Sequence, residues 1–297
     1  MKNVLLKIEY DGSEFSGWAR QPGHRTVQGE LERILSELCR CNISVEGTGR
    51  TDSGVHAIGQ MASFSGDFNI PVNNLAKAAN DMLAYSRFKG GDVRIVNACE
   101  VPEDFHARFN AKGKTYTYMI RNSVQMPVFF RNYRYNVKKE LNFNAMKAAI
   151  AHFKGKHDFA SFMAAGGTPQ SSTIRTVYGV QIAAFDCMHA APLPSVASGA
   201  FEGQPACGGK SDTPFCDIAV SVTGDGFLYN MVRIMVGTLV DVGLGRIAPE
   251  AVPGIMAGCD RQLAGHTAPP QGLYMQQVYF DEAELLEGAK RTPKILP

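Results

Sequence analysis

The run Gly47-Thr48-Gly49-Arg50-Thr51-Asp52-Ser53-Gly54-Val55-His56-Ala57 lies between two apolar, strand-like segments and presents one carboxylate among small residues. Gly47, Gly49 and Gly54 allow turns that a side chain would block, and let a ligand approach the backbone closely. Asp52 is therefore offered from a tight loop rather than from a helix face. A cation as near as Arg50 would hold that carboxylate ionised at neutral pH, as a nucleophile must be. A turn whose aspartate merely hydrogen-bonds its own backbone fits the same spacing.

Working outward, Val4 to Tyr10 alternates like a strand, and a polar loop from Asp11 to Arg25 carries the sole tryptophan, Trp18, beside Arg20. Val27 to Cys39 places Val27, Leu31, Ile34, Leu35 and Leu38 at helical spacing. Ile43 to Val45 and Ala57 to Phe64 read as strands flanking the Asp52 loop, Pro71 to Leu83 as a helix, and Val93 to Ala98 as a strand. The order β-α-β-β-α-β is the ferredoxin-like split motif, an arrangement shared by many RNA-binding sheets. After Pro102 the pattern partly recurs, with strands over Lys114 to Arg121, Val177 to Phe185 and Cys216 to Val222, and a helix over Phe143 to Phe153. Between them, Ala190 to Pro214 dissolves into Ala, Pro, Ser and Gly and reads as an exposed insertion.

With 297 residues, 45% of them hydrophobic and 20% charged, the chain can bury a core large enough for two subdomains. No apolar run reaches spanning length and no leader pattern opens the chain, so a cytoplasmic protein without a membrane anchor is expected. Seven cysteines form no CxxC pair and read as reduced thiols, and the seven histidines show no HExxH spacing. These patterns argue against a disulfide framework and a catalytic metal.

A net charge of +2 hides an uneven distribution. Residues 105–139 hold eight basic residues (Arg108, Lys112, Lys114, Arg121, Arg131, Arg134, Lys138 and Lys139) and no acid, leaving 22 basic against 28 acidic residues elsewhere. Tyr116, Tyr118, Tyr133 and Tyr135 are interleaved with them. Cations for phosphates mixed with rings for bases are the footprint of a nucleic-acid surface. A solvated basic face would have the same composition.

Gly226 to Val242 is apolar nearly all round, which marks a buried helix, yet Arg233 sits in its middle. A buried guanidinium without a carboxylate costs several kcal/mol, about what breaking a buried pair costs. Asp241 lies two turns away, too far for an easy contact, so Asp52 is the expected partner. Snorkelling of Arg233 to solvent is the other option, less suited to apolar neighbours on both sides. A loop carboxylate, a buried cation and a basic aromatic strand together point to an RNA site doing nucleophilic or acid/base chemistry.

Residues 49–57, Asp104-Phe105-His106-Ala107-Arg108-Phe109, Lys114-Thr115-Tyr116-Thr117-Tyr118 and Phe227-Leu228-Tyr229-Asn230-Met231-Val232-Arg233 occur in an order that resembles the tRNA pseudouridine synthase I (TruA-like) family. Glu9-Tyr10-Asp11-Gly12 and Gly17-Trp18-Ala19-Arg20-Gln21 fit the same pattern, and the resemblance runs from about Lys2 to Phe280. It implies an α+β fold of two ferredoxin-like, RRM-like subdomains, residues 1–104 and 105–297, sharing a mainly antiparallel central sheet with the catalytic cleft between them. It further implies that Asp52 is the nucleophile and that Arg233 pairs with it. Tyr116 would stack on the flipped base, with a part in proton removal left open, and Arg50 would help extrude that base. The family uses no cofactor and no metal, and acts as a homodimer on uridines 38 to 40 of the tRNA anticodon arm.

Arg20, Arg25, Lys112, Lys114 and Arg121 are the expected phosphate contacts. His56 and His106 read as packing residues more readily than as general bases. Attack at the base or at the ribose is not distinguished by these residues. Another RNA target would fit the same core; a non-catalytic tRNA-binding relative would be expected to lack Asp52, Tyr116 or Arg233. A hydrolase lacks a second carboxylate to serve as its acid/base partner.

Overall fold

The computed structural model describes residues 1–84, 91–167, 170–186 and 216–297; the segment 190–214, expected to be an exposed insertion, lies outside the described residues. The chain opens with β1 (Lys2–Tyr10), whose Val4, Leu6, Ile8 and Tyr10 alternate into the core. α1 (Val27–Cys39) begins at Thr26, whose side chain accepts from the Gly29 amide, and buries Val27, Leu31, Ile34 and Leu35. There follow β2 (Glu46–Gly47), β3 (His56–Gly66), α2 (Val72–Ala84), β4 (Val93–Glu100) and a single helical turn, α3 (Ala107–Asn110).

The second half repeats the theme with β5 (Gly113–Asn122), β6 (Tyr135–Val137), α4 (Phe143–Ile150), β7 (Gly155–Asp158), β8 (Ile174–Asp186) and β9 (Cys216–Gly224). α5 (Met231–Gly243), α6 (Val252–Ala257), β10 (Leu273–Tyr279) and α7 (Glu282–Gly288) complete it. Among the described residues the strands form one mostly antiparallel sheet in the order β4-β1-β3-β10-β5-β9-β8-β7, with β2 beside β3 and β6 beside β5. Each half sets its last strand beside its first, the ferredoxin-like arrangement. The α+β expectation therefore holds.

Two element expectations are corrected. The strand expected at Ile43 to Val45 is reduced to two residues further on, Glu46 and Gly47. Ile43 and Val45 are buried, but their amides donate to the Ser36 hydroxyl (2.9 Å) and the Glu32 carboxylate (3.1 Å) of α1 rather than to a ladder. This shortening matters for the whole sheet. β2 covers β3 only at Ala62 and Ser63, which leaves His56 and Ala57 free to pair in parallel with Tyr274 and Met275, respectively, of β10. β10 pairs antiparallel with β5 on its other side, so it joins the two halves.

The helix expected from Gly226 starts only at Met231, because Asn230 takes a left-handed conformation (φ 60°). Asparagine is among the few residues that accept that geometry readily. The four residues before the helix, Phe227 to Asn230, are thereby freed to line a cavity.

Candidate active site

The loop from Thr48 to Val55 is fastened to the surrounding structure at Thr48, Gly49, Thr51 and Ser53. Thr48 uses both its amide (2.8 Å) and its hydroxyl (2.7 Å) on the Met61 carbonyl. Gln60, fully buried, donates its amide to Gly49 O at 2.8 Å. Thr51 Oγ1 meets the Tyr10 hydroxyl at 2.7 Å, and Thr51 O accepts from the Trp18 amide at 3.0 Å. The Ser53 hydroxyl donates to Phe15 O at 3.1 Å. A Cβ on Gly47 would stand 2.5 Å from the Trp18 ring, so only glycine fits where the chain enters the loop. Such a loop presents Asp52 with little freedom to rearrange.

Asp52 and Arg233 meet although 181 residues separate them: the guanidinium donates from Nη1 to Asp52 Oδ2 at 3.2 Å. The same Nη1 donates to Asn230 Oδ1 at 2.7 Å, and Nε donates to Ala268 O at 2.7 Å. Three acceptors from three elements thus fix one planar cation, whose side chain is 14% exposed. Asn230 makes no side-chain cap for α5, its carboxamide being turned to Arg233 instead. Burial raises the Asp52 carboxyl above its ordinary value, while the charge and hydrogen bond of Arg233 pull it back. The cation facing the carboxylate is therefore Arg233, not Arg50, which corrects the local expectation. Arg50 is exposed on the rim of the same cavity.

That cavity, about 490 Å³, is lined by Asp52, Arg50, Lys114, Tyr116, Phe227 and Arg233 among others. Tyr116 is buried on β5 and meets Phe227 edge-on, with ring centroids 5.1 Å apart. Burial raises its phenol well beyond the normal range, with Tyr10 and Asp52 adding to the effect. Tyr116 accordingly stays protonated; it offers a ring and an O–H rather than a phenolate. Lys114, two residues earlier on the same face of β5, donates to Thr48 O at 2.8 Å. Burial, with Arg108 adding to it, pushes its ammonium down to about 8.

The basic segment divides in three. Arg108 and Lys114 line the cavity, and Lys112 is exposed nearby. Arg121 and Arg134, by contrast, are buried on either side of Asp217 at 3.0 and 3.5 Å, and both lie against the Phe130 ring. Arg134 also holds the carbonyls of Leu296 and Pro297. Arg121 is thus engaged inside the fold. So is Arg25, whose two terminal nitrogens grip Asp92 at 2.5 and 2.9 Å while its guanidinium covers the Phe15 ring. Both were expected at phosphates; composition reports charge, whereas an acid from a distant part of the chain decides how that charge is engaged. Arg20 is largely exposed and only loosely paired with Glu32, at 3.4 Å. Of the interleaved tyrosines, Tyr118 is fully buried with its hydroxyl on Pro269 O, Tyr133 binds Asp11 and Tyr135 binds His266.

Both flagged histidines do structural work. His56 is buried, accepting from the Gly12 amide at Nδ1 (3.0 Å) with Nε2 on Asn132 O (2.9 Å). His106 caps α3 through the Arg108 amide. Asn230, Gln60, Tyr10 and Ala268, which orient the loop or the cation, were given no role by the sequence reading. A left-handed asparagine or a lone backbone carbonyl leaves no compositional trace. Among the described residues no group of three or more His, Cys, Asp or Glu could hold a metal, and no helix is long and apolar enough to cross a membrane.

The family model for tRNA pseudouridine synthase matches residues 7–110 and 149–281. The chain is 41% identical over 280 residues to the tRNA pseudouridine synthase A of Ruminiclostridium cellulolyticum, covering 94% of this chain and 100% of that protein. It is 38% identical to tRNA pseudouridine synthase A 2 of Clostridium perfringens, with the same coverage. It is 39% identical over 274 residues to the corresponding protein of Halalkalibacterium halodurans, covering 92% and 90%.

Proposed function

The chain belongs to the tRNA pseudouridine synthase family, and from that premise we propose that it isomerises uridine to pseudouridine at positions 38–40 of the tRNA anticodon arm. It is an isomerase; the reaction exchanges the N1–C1′ bond of uridine for a C5–C1′ bond. The C5 proton leaves, N1 gains one, and no oxidant or reductant is consumed. In this reading Asp52 is the nucleophile that holds the substrate while the uracil detaches and turns. Arg233 keeps the carboxylate ionised and aimed against the penalty of its own burial. Tyr116 supplies the wall on which the flipped base rests, and its retained proton lets it donate rather than abstract. Arg50, exposed on the rim, enters the space that the base leaves in the RNA stem. Lys114 and Arg108 take phosphates at the mouth of the cavity, with Arg20 and Lys112 further out.

The observation that carries this reading is the Asp52–Arg233 pair inside a cavity walled by Tyr116. Residues 1–104 and 105–297 each contribute one wall as a subdomain. The protein acts in the cytoplasm as a homodimer, with one tRNA held across both subunits. Light scattering should accordingly give twice the mass of the chain.

The test is tritium release from tRNA labelled at C5 of uridine. Wild-type protein should release label from the anticodon arm, and Asp52→Asn should lose at least roughly a thousandfold in rate while still binding tRNA. Release mapped to another arm would move the target and keep the chemistry. No release by wild-type protein that binds tRNA tightly would remove the reading.

A further inference from the structure

A lone aromatic ring in solvent is ordinary, and it points to an occupant only where its surroundings are built for one. Phe109 is 77% exposed, although Phe105, four residues earlier, packs edge-on against Phe280 with centroids 5.2 Å apart. Phe109 is not a loose tip. It belongs to α3, where Ala107 is fully buried and donates its amide to the Ser63 hydroxyl of β3 at 3.0 Å. The His106 amide donates to Asn110 Oδ1 at 2.8 Å, and His106 Nδ1 accepts from the Arg108 amide at 3.1 Å. These bonds close the turn on itself and hold its side chains in fixed directions.

The centroids of the His106 and Phe109 rings lie 4.4 Å apart with the planes tilted by 38°, so the imidazole supports the phenyl ring by direct contact. The Arg108 guanidinium reaches over the Phe109 ring at 5.8 Å, and Arg108 also lines the cavity that contains Asp52 and Tyr116. An exposed ring, a second ring behind it and a cation shared with the cavity together make a surface for a flat, electron-rich group attached to a phosphate. In an RNA enzyme such a group is an unpaired base.

We propose that Phe109, backed by His106, is a stacking platform for a nucleobase flanking the uridine in the cavity, with Arg108 on the intervening phosphate. This rests on the tRNA reading above. Extruding one nucleotide removes the stacking partner of its neighbour, and the platform replaces the face that is lost. Aromatic stacking is tolerant of base identity, so the platform would fix the path of the strand rather than select a sequence.

The experiment compares steady-state pseudouridine formation on a tRNA transcript by wild type, Phe109→Leu, Phe109→Trp and the control Phe129→Leu. Phe129 is comparably exposed, at 82%, but no residue of its own turn, Val128–Phe130, lines the cavity, whereas Arg108 beside Phe109 does. Phe109→Leu keeps an apolar side chain and should raise KM about tenfold with kcat within about twofold, at the lower end of what one stacked base is worth. Phe109→Trp should restore KM, and Phe129→Leu should leave it unchanged. A transcript with a 5-iodopyrimidine next to the target should crosslink under light to the peptide containing Phe109. Unchanged KM for Phe109→Leu, failure of Trp to restore it, or an equal rise for Phe129→Leu would overturn the platform while leaving the reaction standing. Absence of pseudouridine with wild-type protein would instead overturn the reaction, and the platform with it.

Discussion

At the scale of single residues, the site is a balance between burial and one guanidinium. Burial raises the Asp52 carboxyl and Arg233 lowers it, so the acid limb of kcat/KM should lie above the usual aspartate range. Arg233→Gln removes the lowering contribution; the limb should move further up in pH and kcat should fall by roughly a hundredfold, as when one preorganised donor is lost. A pH–rate profile of both proteins checks the sign. An Arg233→Gln limb at or below the wild-type position would refute the assignment. Lys114 should set the opposite limb. Its ammonium, pushed down to about 8 by burial, is charged below that pH and neutral above it, so phosphate attraction fades as the pH rises through 8. Lys114→Arg keeps the charge and should abolish an alkaline fall in tRNA affinity near pH 8. Asp52 and Arg233 were legible in the sequence because a guanidinium in an apolar helix demanded a carboxylate, and the Asp52 loop was the candidate to supply it. Asn230 and Ala268 were not, since they act through a carboxamide and a carbonyl whose positions depend on a left-handed turn and a distant loop.

At the scale of elements, α5 owes its function to the loop lying along it. Gly237 faces the His266 carbonyl at hard contact, so a Cβ there would strike backbone. Around that contact, Asp241 Oδ2 is 3.1 Å from His266 Nδ1, and the Ala268 amide donates to Arg233 O at 3.1 Å. The Arg233 side chain returns the bond to Ala268 O. Gly237→Ala should therefore push the 265–268 loop off the helix. The expected cost is about 1–3 kcal/mol of stability, in the range of overpacking, measured by urea denaturation. Turnover should drop as well, because the guanidinium loses an acceptor; unchanged kcat in a destabilised protein would show that the loop does not act through Arg233. Periodicity located α1 and α2 to within one residue of their ends, and placed the start of α5 five residues early. It misplaced β2 because the amides of Ile43 and Val45 are satisfied by Ser36 and Glu32 side chains, a solution that hydrophobic spacing does not encode.

Across the whole molecule, the basic residues separate into those that hold the fold and those that face outward. Arg20→Ala and Lys112→Ala should each weaken tRNA binding and lower the salt slope by about 1. Arg25→Ala should leave that slope unchanged and lose stability instead, since its charge is engaged by Asp92. Asp217→Ala would leave two buried guanidinium groups without their carboxylate, at a cost of about 3–5 kcal/mol in a denaturation experiment. The sequence showed the excess of charge in residues 105–139 but not this division, because Asp217, which engages Arg121 and Arg134, lies about 80 residues or more further along the chain.

The strand that joins the two halves is also among the latest to be made. β10, residues 273–279, enters the sheet between β3 and β5, so the ribosome has released both neighbours before their spacer exists. Asp52 is synthesised early and Arg233 late, on opposite sides of that gap. The nascent chain can therefore fold its first ferredoxin-like half locally, yet the second half lacks its closing strand and no cleft is assembled until that late stretch threads home. Long-range pairing of this sort is slow to form. For that interval the exposed edges of β3 and β5 are the surfaces on which a chaperone, or a wrong strand, would act.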